Sequence, residues 1–375
     1  MKLATFNIQN LFHRDISFNE TQFDKTKKDW EIAMDELMDK PIKSIQDQER
    51  LRELVCLADI DNINRYTYAV LRRKGGYLFL KGKNYSKELK ASELTDWNGW
   101  IALQNYPLDP IAVKNKARVI AEVNPDILIL QEIEDRASLA EFNEDFLPRL
   151  GCEPFQQTFV VQGNDNLGRE IGILIRKGFQ IKSVRSHIYD LNFQEKIVFE
   201  KDLLQYEIQT ANGKTIWILA THLKNQAGDK NLSNKIRTQQ AKRIAEVYKQ
   251  MKAEGKINVA IVGTLNAPSF CNSLSPLLLK TNVLDISKHS DFNVDFDKGE
   301  DAGYYSLGAY RMGVNIKQKD YLLLSPELFK KTKRSGLNRK GVWPEKRPTW
   351  SIYPGIDQKS NAASEHPIVW ADVEV

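Results

Sequence analysis

Cysteine is scarce in this chain, and long apolar runs are missing. The 375 residues include only Cys56, Cys152 and Cys271, which lie far apart. An odd number at such spacing argues against a disulfide framework and against a cysteine metal site. No apolar run approaches the roughly 20 residues of a membrane helix, so we expect no stable membrane association. The chain enters a strand pattern at Lys2 without an apolar signal core, which predicts a cytoplasmic protein.

The overall composition is that of an ordinary globular protein. Hydrophobic residues make up 42% and charged residues 27% of the chain. The length suits one large domain or two ordinary ones. The formal net charge of +5 mildly favours polyanionic partners and decides nothing by itself. No feature of the sequence indicates an obligate protein partner.

Four short apolar runs end on side chains that carry chemistry. They are Lys2–Asn7, Asp126–Glu132, Ile216–His222 and Asn258–Pro268, the last of which contains Asn266. Apolar runs of this length bounded by turn residues predict buried strands. One such ending is ordinary, but four with amide, carboxylate and imidazole groups predict strands that converge on one site.

The remaining pattern predicts two packed sheets flanked by helices. Helical spacing covers 111–123 and 233–254, and Asn212-Gly213 predicts the turn of a β-hairpin. The segment from Asp15 to about Pro110 is rich in Lys, Asp, Glu and Asn, with apolar residues at helical spacing. Within it, Ser44 and Asp47 resemble a capping box. A short strand is expected near Tyr77–Leu80.

Histidine and aspartate add to the predicted site. His222 ends one strand, and His366 comes just before the last strand. A lone histidine at a strand end more often serves a structural hydrogen bond, but two such ends together with Glu132 favour a site. Asp320 precedes the apolar run Tyr321–Leu324. It either fixes the tautomer of a histidine or starts a strand as a turn residue, and the sequence leaves both open.

Seven segments in order resemble the endonuclease/exonuclease/phosphatase superfamily, which has the DNase I-like fold. They are TFNIQNLF, PDILILQEIED, REIGILIRK, LATHLKN, GTLNAP, KDYLLLSP and SEHPIV. The resemblance implies an α+β fold, a four-layer α/β/β/α sandwich, in one domain over 1–375. The segment at about 15–110 is then an insert after the first strand. It is similar to one carried by a bacterial subgroup, including the Trp97–Trp100 stretch.

The resemblance also implies roles for individual residues. Phosphate ester hydrolysis uses a divalent cation to neutralise phosphate oxygens, and hard oxygen ligands suit Mg²⁺ or Mn²⁺. Metal ligands are expected at Glu132, Asn7 and Glu365. Catalytic roles are implied for His222 with its support Glu170, for Asn266, and for His366 with its orienting partner Asp320. Lys224, beside His222, is expected to bind substrate.

Three positions depart from the superfamily pattern. Thr264 stands where the pattern has the Asp assigned to activate water, and Glu365 stands where it has Asp. In Phe199–Asp202, Lys201 stands where the subgroup has Arg. Thr264 cannot act as a base at pH 7, and a general base contributes roughly 10²–10⁴ in rate. A slow enzyme, an enzyme with a relocated base such as Glu365, and a site that only binds all remain open.

The insert contains a strongly basic stretch. Eight basic residues and one acid lie between Arg65 and Lys90, interleaved with Tyr and Phe. Basic side chains can follow phosphates while aromatic rings stack on bases, so Arg72, Arg73 and Lys74 are candidate contacts to nucleic acid. A solvated face with core aromatics explains the same pattern and is somewhat favoured by the sequence alone.

These observations lead to one principal expectation and two alternatives. The principal one is a metal-dependent phosphodiesterase that acts on nucleic acid, with altered catalysis because of Thr264. The first alternative is a phosphatase or lipid phosphodiesterase of the same superfamily. The second is a catalytically silent protein that binds phosphate or nucleic acid.

Overall fold

A computed structural model shows how these segments are arranged. It describes residues 1–11, 29–57, 69–75, 78–81, 99–103, 109–165, 169–226, 228–294, 318–344 and 350–375. Two large sheets and several helices make up most of the described chain.

The first sheet has seven strands. In spatial order they are β13 (Phe292–Asn293), β15 (Thr332–Asn338), β16 (Ile368–Val373), β1 (Lys2–Leu11), β5 (Ile127–Ile133), β7 (Glu170–Ile175) and β6 (Gln157–Val161). At its centre, β1 pairs in parallel with β5 and antiparallel with β16. The first strand therefore lies between the strand that ends near Glu132 and the strand that follows His366.

The second sheet has six strands. In spatial order they are β12 (Leu284–Asp285), β14 (Asp320–Leu324), β11 (Val259–Thr264), β10 (Thr215–His222), β9 (Leu203–Gln209) and β8 (Gln180–Ser186). β10 and β11 are parallel, whereas β9 and β14 flank them in the antiparallel sense. The predicted hairpin around Asn212-Gly213 is confirmed as the β9–β10 pair.

Three apolar cores separate four layers. One core lies between the sheets and contains inward side chains of both, such as Ile129 and Ile218. A second packs α3 (Pro110–Val123) on the outer face of the first sheet, and a third packs α5 (Lys230–Ala253) on the outer face of the second. The predicted four-layer α/β/β/α sandwich is therefore confirmed. The shorter helices of this part are α4 (Arg136–Glu141), α6 (Ser275–Leu278) and α7 (Pro326–Lys330).

The inserted segment contains both helices and strands. Its helices are α1 (Asp29–Asp39) and α2 (Ile45–Leu57), and its strands are β2 (Ala69–Gly75), β3 (Leu78–Lys81) and β4 (Gly99–Leu103). The strands form a separate sheet in the order β3-β2-β4. The capping box is confirmed, because Asp47 N–H donates to Ser44 Oγ and Ser44 N–H donates to the Asp47 carboxylate. The sheet corrects the expectation of a mainly helical insert with one short strand.

Several predicted boundaries shift for identifiable reasons. The helix expected from Ser233 begins at Lys230, because the Asp229 side chain accepts the N–H groups of Asn231 and Leu232. The helix expected over 111–123 ends as predicted, at Asn124 in the left-handed conformation. Within the described ranges, every helix is too short or too polar to cross a bilayer.

Candidate active site

Three neighbouring strands of the second sheet bring His222, Thr264 and Asp320 side by side. His222 is paired with Thr264 across β10 and β11, and Thr264 is paired with Asp320 across β11 and β14. Gly263, one residue before Thr264, allows this close pairing. A Cβ on Gly263 would lie 1.9 Å from the Thr221 carbonyl oxygen, and its φ is +134°. Only glycine fits there without a shift of the backbone.

Irregular pairing in the first sheet directs Asn7 and Glu132 to the same place. The β1–β5 register shifts after Asn7, and the β5–β7 register shifts at Glu132. Glu132 has a φ of +66°, a conformation that costs free energy in a residue with a long side chain. Bulges of this kind redirect side chains beside active sites. The strand ends predicted to converge therefore do so, at the edge where the two sheets meet.

A continuous hydrogen-bonded chain links the two sheets. Asn7 Nδ2 lies 3.3 Å from Glu132 Oε1 and 3.2 Å from Thr264 Oγ1. Thr264 Oγ1 donates to Asp320 Oδ1 at 2.7 Å, and the other Asp320 oxygen lies 2.7 Å from His366 Nδ1. Both oxygens of Asp320 are thus engaged. Asp320 begins β14 and also contacts His366, so both readings of the residue fit its position, and its orienting role stays a prediction.

The two histidines of the site have opposite protonation preferences. Burial lowers the pKa of His222 well below its ordinary value, and the positive charge of Lys201 lowers it further. Burial also opposes protonation of His366, but the Asp320 carboxylate outweighs it and raises the pKa of His366. His366 therefore keeps its proton to a higher pH than His222 does. Separation of this kind is typical of sites that move protons.

His222 reaches Glu132 with one nitrogen and leaves the other without a described partner. Nε2 lies 3.7 Å from Glu132 Oε1. Nδ1 is buried, and no described residue forms a hydrogen bond with it. A buried nitrogen of this kind is uncommon in a purely structural histidine.

A buried lysine, Lys116, forms hydrogen bonds to the backbone of two segments that carry site residues. Lys116 Nζ donates to the backbone carbonyls of Ile8 at 2.6 Å and Gln9 at 2.8 Å, and to that of Ala363. Burial lowers the pKa of Lys116 to about 7. The ammonium group therefore joins the end of β1 to the segment that leads into His366.

Ser364 makes a second connection between the same two segments. Its Oγ donates to the Asn7 carbonyl at 2.7 Å and accepts the N–H of His366 at 3.0 Å. The Gln9 side chain accepts the N–H of Glu365 at 2.7 Å. His366 is therefore positioned through its backbone as well as through its ring.

Three further predicted residues lie around this centre. Glu170 is buried, and its carboxylate accepts the N–H of Gly163 at 2.6 Å; burial raises the pKa of Glu170 to about 8. Asn266 has a φ of +55°, and its Nδ2 donates to the Leu223 carbonyl at 2.9 Å. Lys224 is partly exposed and pairs with Glu200 at 2.8 Å. The roles assigned to these side chains stay predictions.

Glu365 and the basic strand lie further out. The Glu365 carboxylate pairs with Lys359 and is 42% exposed. Arg72, Arg73 and Lys74 are on β2, paired with Lys81, Leu80 and Phe79 of β3. β3 lies against α4, which begins four residues after Glu132. The contact shown for the insert sheet in this region is therefore with α4, and four of the other predicted basic residues, Arg65, Lys83, Lys87 and Lys90, fall outside the described residues.

Few oxygen atoms of the predicted metal ligands are free. Glu132 and Asn7 are the predicted ligands near the centre, but Asn7 turns its NH₂ group towards Glu132 and its Oδ1 accepts the N–H of Gln9. In the described part of the chain, no three His, Cys, Asp or Glu side chains are grouped to hold a metal ion. Mg²⁺ is often bound by one or two carboxylates completed by water and substrate phosphate, and Glu132 fits that arrangement.

Sequence reasoning missed Lys116 and Ser364. Lys116 did carry a signal, because it falls on the helix face that also holds Val113, Ala117 and Ile120. A lysine on a core-facing stripe has to find partners for its charge. Ser364 carried no such signal, since nothing in its spacing points to the Asn7 carbonyl.

The chain is similar to several solved structures at low identity. Truncated TDP2 of Caenorhabditis elegans is 18% identical with a TM-score of 0.44, over 69% of this chain and 88% of that one. A mannosyl-6-phosphatase of Bacteroides thetaiotaomicron is 14% identical with a TM-score of 0.48, over 70% and 91%. An endonuclease/exonuclease/phosphatase family protein of the same species is 14% identical with a TM-score of 0.47, over 69% and 85%.

The superfamily predicted from the motifs is thus represented among these structures, whereas the bacterial subgroup with a long insert stays a prediction. At such identities the likeness says nothing about substrate. No protein-family model matches the chain, and no curated protein matches it.

Proposed function

We propose that the chain is a metal-dependent phosphodiesterase that acts on nucleic acid. The observation that carries the proposal is the hydrogen-bonded chain Asn7–Thr264–Asp320–His366, with Glu132 and His222 beside it. Amide, carboxylate and imidazole groups from both sheets meet there. Phosphate ester hydrolysis requires such a set: anion donors, a proton donor and a cation ligand.

The two histidines have different proposed roles, because their pKa values are shifted in opposite directions. His366, whose pKa the Asp320 carboxylate raises, donates a hydrogen bond to a phosphate oxygen and, when protonated, can protonate the leaving oxygen. Burial lowers the pKa of His222, so its neutral ring can donate a hydrogen bond to a phosphate oxygen or accept a proton from the attacking water. A divalent cation, Mg²⁺ or Mn²⁺, bound by Glu132 and Asn7 would neutralise the phosphate oxygens.

Thr264 is expected to lower the rate of phosphodiester hydrolysis. Its hydroxyl accepts from Asn7 and donates to Asp320, so it holds Asp320 in place and offers no base to water. The base is then supplied by His222 or by Glu365, which lies one residue before His366. The expected rate is below that of a site with a carboxylate at position 264.

Nucleic acid is the proposed substrate class because of the insert. Its basic strand β2 belongs to a sheet that lies against α4, close in sequence to Glu132. Net charge and the predicted cytoplasmic location are consistent with this proposal. A phosphatase or lipid phosphodiesterase of the same superfamily is the second candidate, and a silent protein that binds phosphate or nucleic acid is the third.

Cleavage assays on a substrate panel test the proposal. Single- and double-stranded DNA, RNA and a generic phosphodiester are incubated with wild type, Thr264→Asp and His366→Ala, with Mg²⁺ or Mn²⁺ and with chelator. We expect slow cation-dependent cleavage of nucleic acid by wild type and its loss in His366→Ala. Cleavage of the generic ester alone would remove nucleic acid from the proposal. Silence of wild type with activity in Thr264→Asp would favour the binding protein.

A further inference from the structure

The connection between β8 and β9 projects a small hairpin with apolar side chains in solvent. Asn192 N–H donates to the Lys196 carbonyl at 2.8 Å, and Val198 N–H donates to that of Asp190 at 2.9 Å. Leu191 and Ile197 face each other in an antiparallel bridge between these two hydrogen bonds. Leu191 is 55% exposed, Ile197 is 50% exposed and Phe193, in the turn, is 87% exposed. These three side chains are the apolar tip.

The polar side chains of the same hairpin fasten it to α5. Asp190 accepts from Arg243 Nε at 2.7 Å and lies 2.8 Å from His187 Nδ1. Asn192 Nδ2 donates to the Gln239 side chain at 3.4 Å, and its Oδ1 accepts the N–H groups of two turn residues. The hairpin is therefore held in place, with its polar residues turned to the helix and the apolar tip turned outward.

Positive charge borders the apolar tip. Gln239, the contact of the hairpin on α5, lies one helical turn from Lys235 and from Lys242, and both lysines are exposed. Lys196 is exposed within the hairpin itself, next to the exposed acid Glu195, so these two residues with Lys235 and Lys242 carry a net charge of +2. Apolar side chains framed by lysines are suited to a surface that is apolar inside and negatively charged outside, which describes an anionic phospholipid bilayer.

We propose that the apolar tip docks the protein reversibly onto anionic phospholipid bilayers. A protein partner fits less well, because a stable interface needs about 800 Å² on each side and three side chains offer a few hundred at most. Insertion into lipid needs only the inserted side chains. So small an anchor also agrees with the expectation of no stable membrane association. The inference does not depend on the proposed catalysis.

Vesicle flotation of the full chain tests this docking. Wild type, the double variant Leu191→Gln/Phe193→Gln and the double variant Lys235→Gln/Lys242→Gln are mixed with phosphatidylcholine vesicles, with and without phosphatidylserine. We expect wild type to float with the phosphatidylserine vesicles and the apolar-tip variant to lose at least about tenfold in partitioning. The lysine variant should lose the preference for phosphatidylserine. Ile257→Gln, 53% exposed elsewhere on the surface, is the matched control and should float like wild type.

Several results would overturn the docking proposal. Wild type that stays with the soluble fraction on both vesicles would do so, as would an apolar-tip variant that floats unchanged. If the apolar-tip variant instead weakened binding to single-stranded oligonucleotides, the tip would belong to a nucleic-acid surface. If it abolished a dimer in sedimentation, the tip would belong to an interface between copies. Unchanged circular dichroism and melting temperature exclude misfolding as the cause.

Discussion

Thr264 lies at the centre of the hydrogen-bonded chain that joins the two sheets. The residue is fully buried, and its hydroxyl accepts from Asn7 and donates to Asp320. The Thr264 hydroxyl is linked to Glu132 through the Asn7 amide, which lies within hydrogen-bond distance of both. A carboxylate at this position would lie next to Asp320, and two adjacent carboxylates favour either a shared proton or a bound cation. We therefore expect the side chain at 264 to influence how strongly the proposed site attracts a cation.

Thr264→Asp is predicted to raise both hydrolysis and cation binding. The added carboxylate supplies a base and a second charged ligand, and the gain in rate should be roughly 10²–10⁴. Hydrolysis with Mg²⁺ and the shift of melting temperature by Mg²⁺ are the two measurements. Thr264→Asn has the same shape without the charge and should gain neither. Equal behaviour of the two variants would show that position 264 does not limit the site.

Lys116→Met is predicted to lower the free energy of unfolding and to slow hydrolysis. Three carbonyl groups would lose their shared donor, and a buried unsatisfied group costs about 1–3 kcal/mol. The release of a buried charge offsets part of that loss. Denaturant unfolding measures the change, and Lys114→Met, an exposed lysine on the same helix, is the control. A Lys116→Met protein as stable as the control would contradict the role of Lys116 in joining the end of β1 to the segment that leads into His366.

At the scale of elements, the parallel pair β10–β11 determines how close His222 and Thr264 can come. Gly263 permits the approach because a Cβ there would meet the Thr221 carbonyl at 1.9 Å. Gly213 offers a comparison, since its φ is +78° but a Cβ would meet nothing within 4 Å. Substituting each glycine in turn therefore distinguishes the free-energy cost of a positive φ from that of a steric clash with the backbone.

Gly263→Ala is predicted to destabilise the protein more than Gly213→Ala. A positive φ alone costs roughly 1–3 kcal/mol in a residue with a Cβ, and the clash adds to it at Gly263. Thermal and denaturant unfolding of the two variants give the difference. If Gly213→Ala were as destabilising as Gly263→Ala, the close β10–β11 approach would not be the constraint.

Local sequence patterns predicted most of the elements, because their causes are local. Apolar runs predicted β5, β10, β11 and β14 to within one or two residues. The capping box at Ser44 and the turn at Asn212-Gly213 depend on neighbouring residues only, and both are found. The convergence of Asn7, Glu132 and His222 could be predicted because strand ends meet at sheet edges.

The remaining features depend on contacts that are distant in sequence. The bulge at Glu132 follows from pairing with two neighbouring strands, which no local pattern shows. The partner of Thr264 is Asp320, 56 residues away, so the residue type could be read from the sequence but its hydrogen bonds could not. The insert sheet was missed because its strands are short and separated by charged residues.

At the scale of the whole molecule, burial of ionisable groups links the site to global stability. Glu170 is enclosed where the two sheets meet, and burial raises its pKa to about 8 from a model-compound value of 4.5. Between these values the folded protein keeps a proton that the unfolded chain releases. The contribution of Glu170 to stability is therefore fully present below about pH 4.5 and is lost as the pH rises through 8.

Glu170→Gln is predicted to flatten this pH dependence. Glutamine has no proton to lose, so the free energy of unfolding should fall less steeply between pH 5 and 8, by up to about 1.4 kcal/mol per pH unit. Denaturant unfolding at several pH values measures the slope. Glu144→Gln, an exposed acid on the surface, is the control. A Glu170→Gln slope equal to that of wild type would mean that Glu170 is ionised in the folded protein.

We propose that His222, at the end of β10, and His366, just before β16, face one phosphate-binding site. Nuclear magnetic resonance of ¹⁵N-labelled histidine during titration with inorganic phosphate and Mg²⁺ tests it directly, whether or not the protein turns over a substrate. The account predicts that the ring signals of His222 and His366 shift together with one affinity, while those of His289 stay unchanged. If phosphate left both rings unaffected in the folded protein, the proposed site would be contradicted.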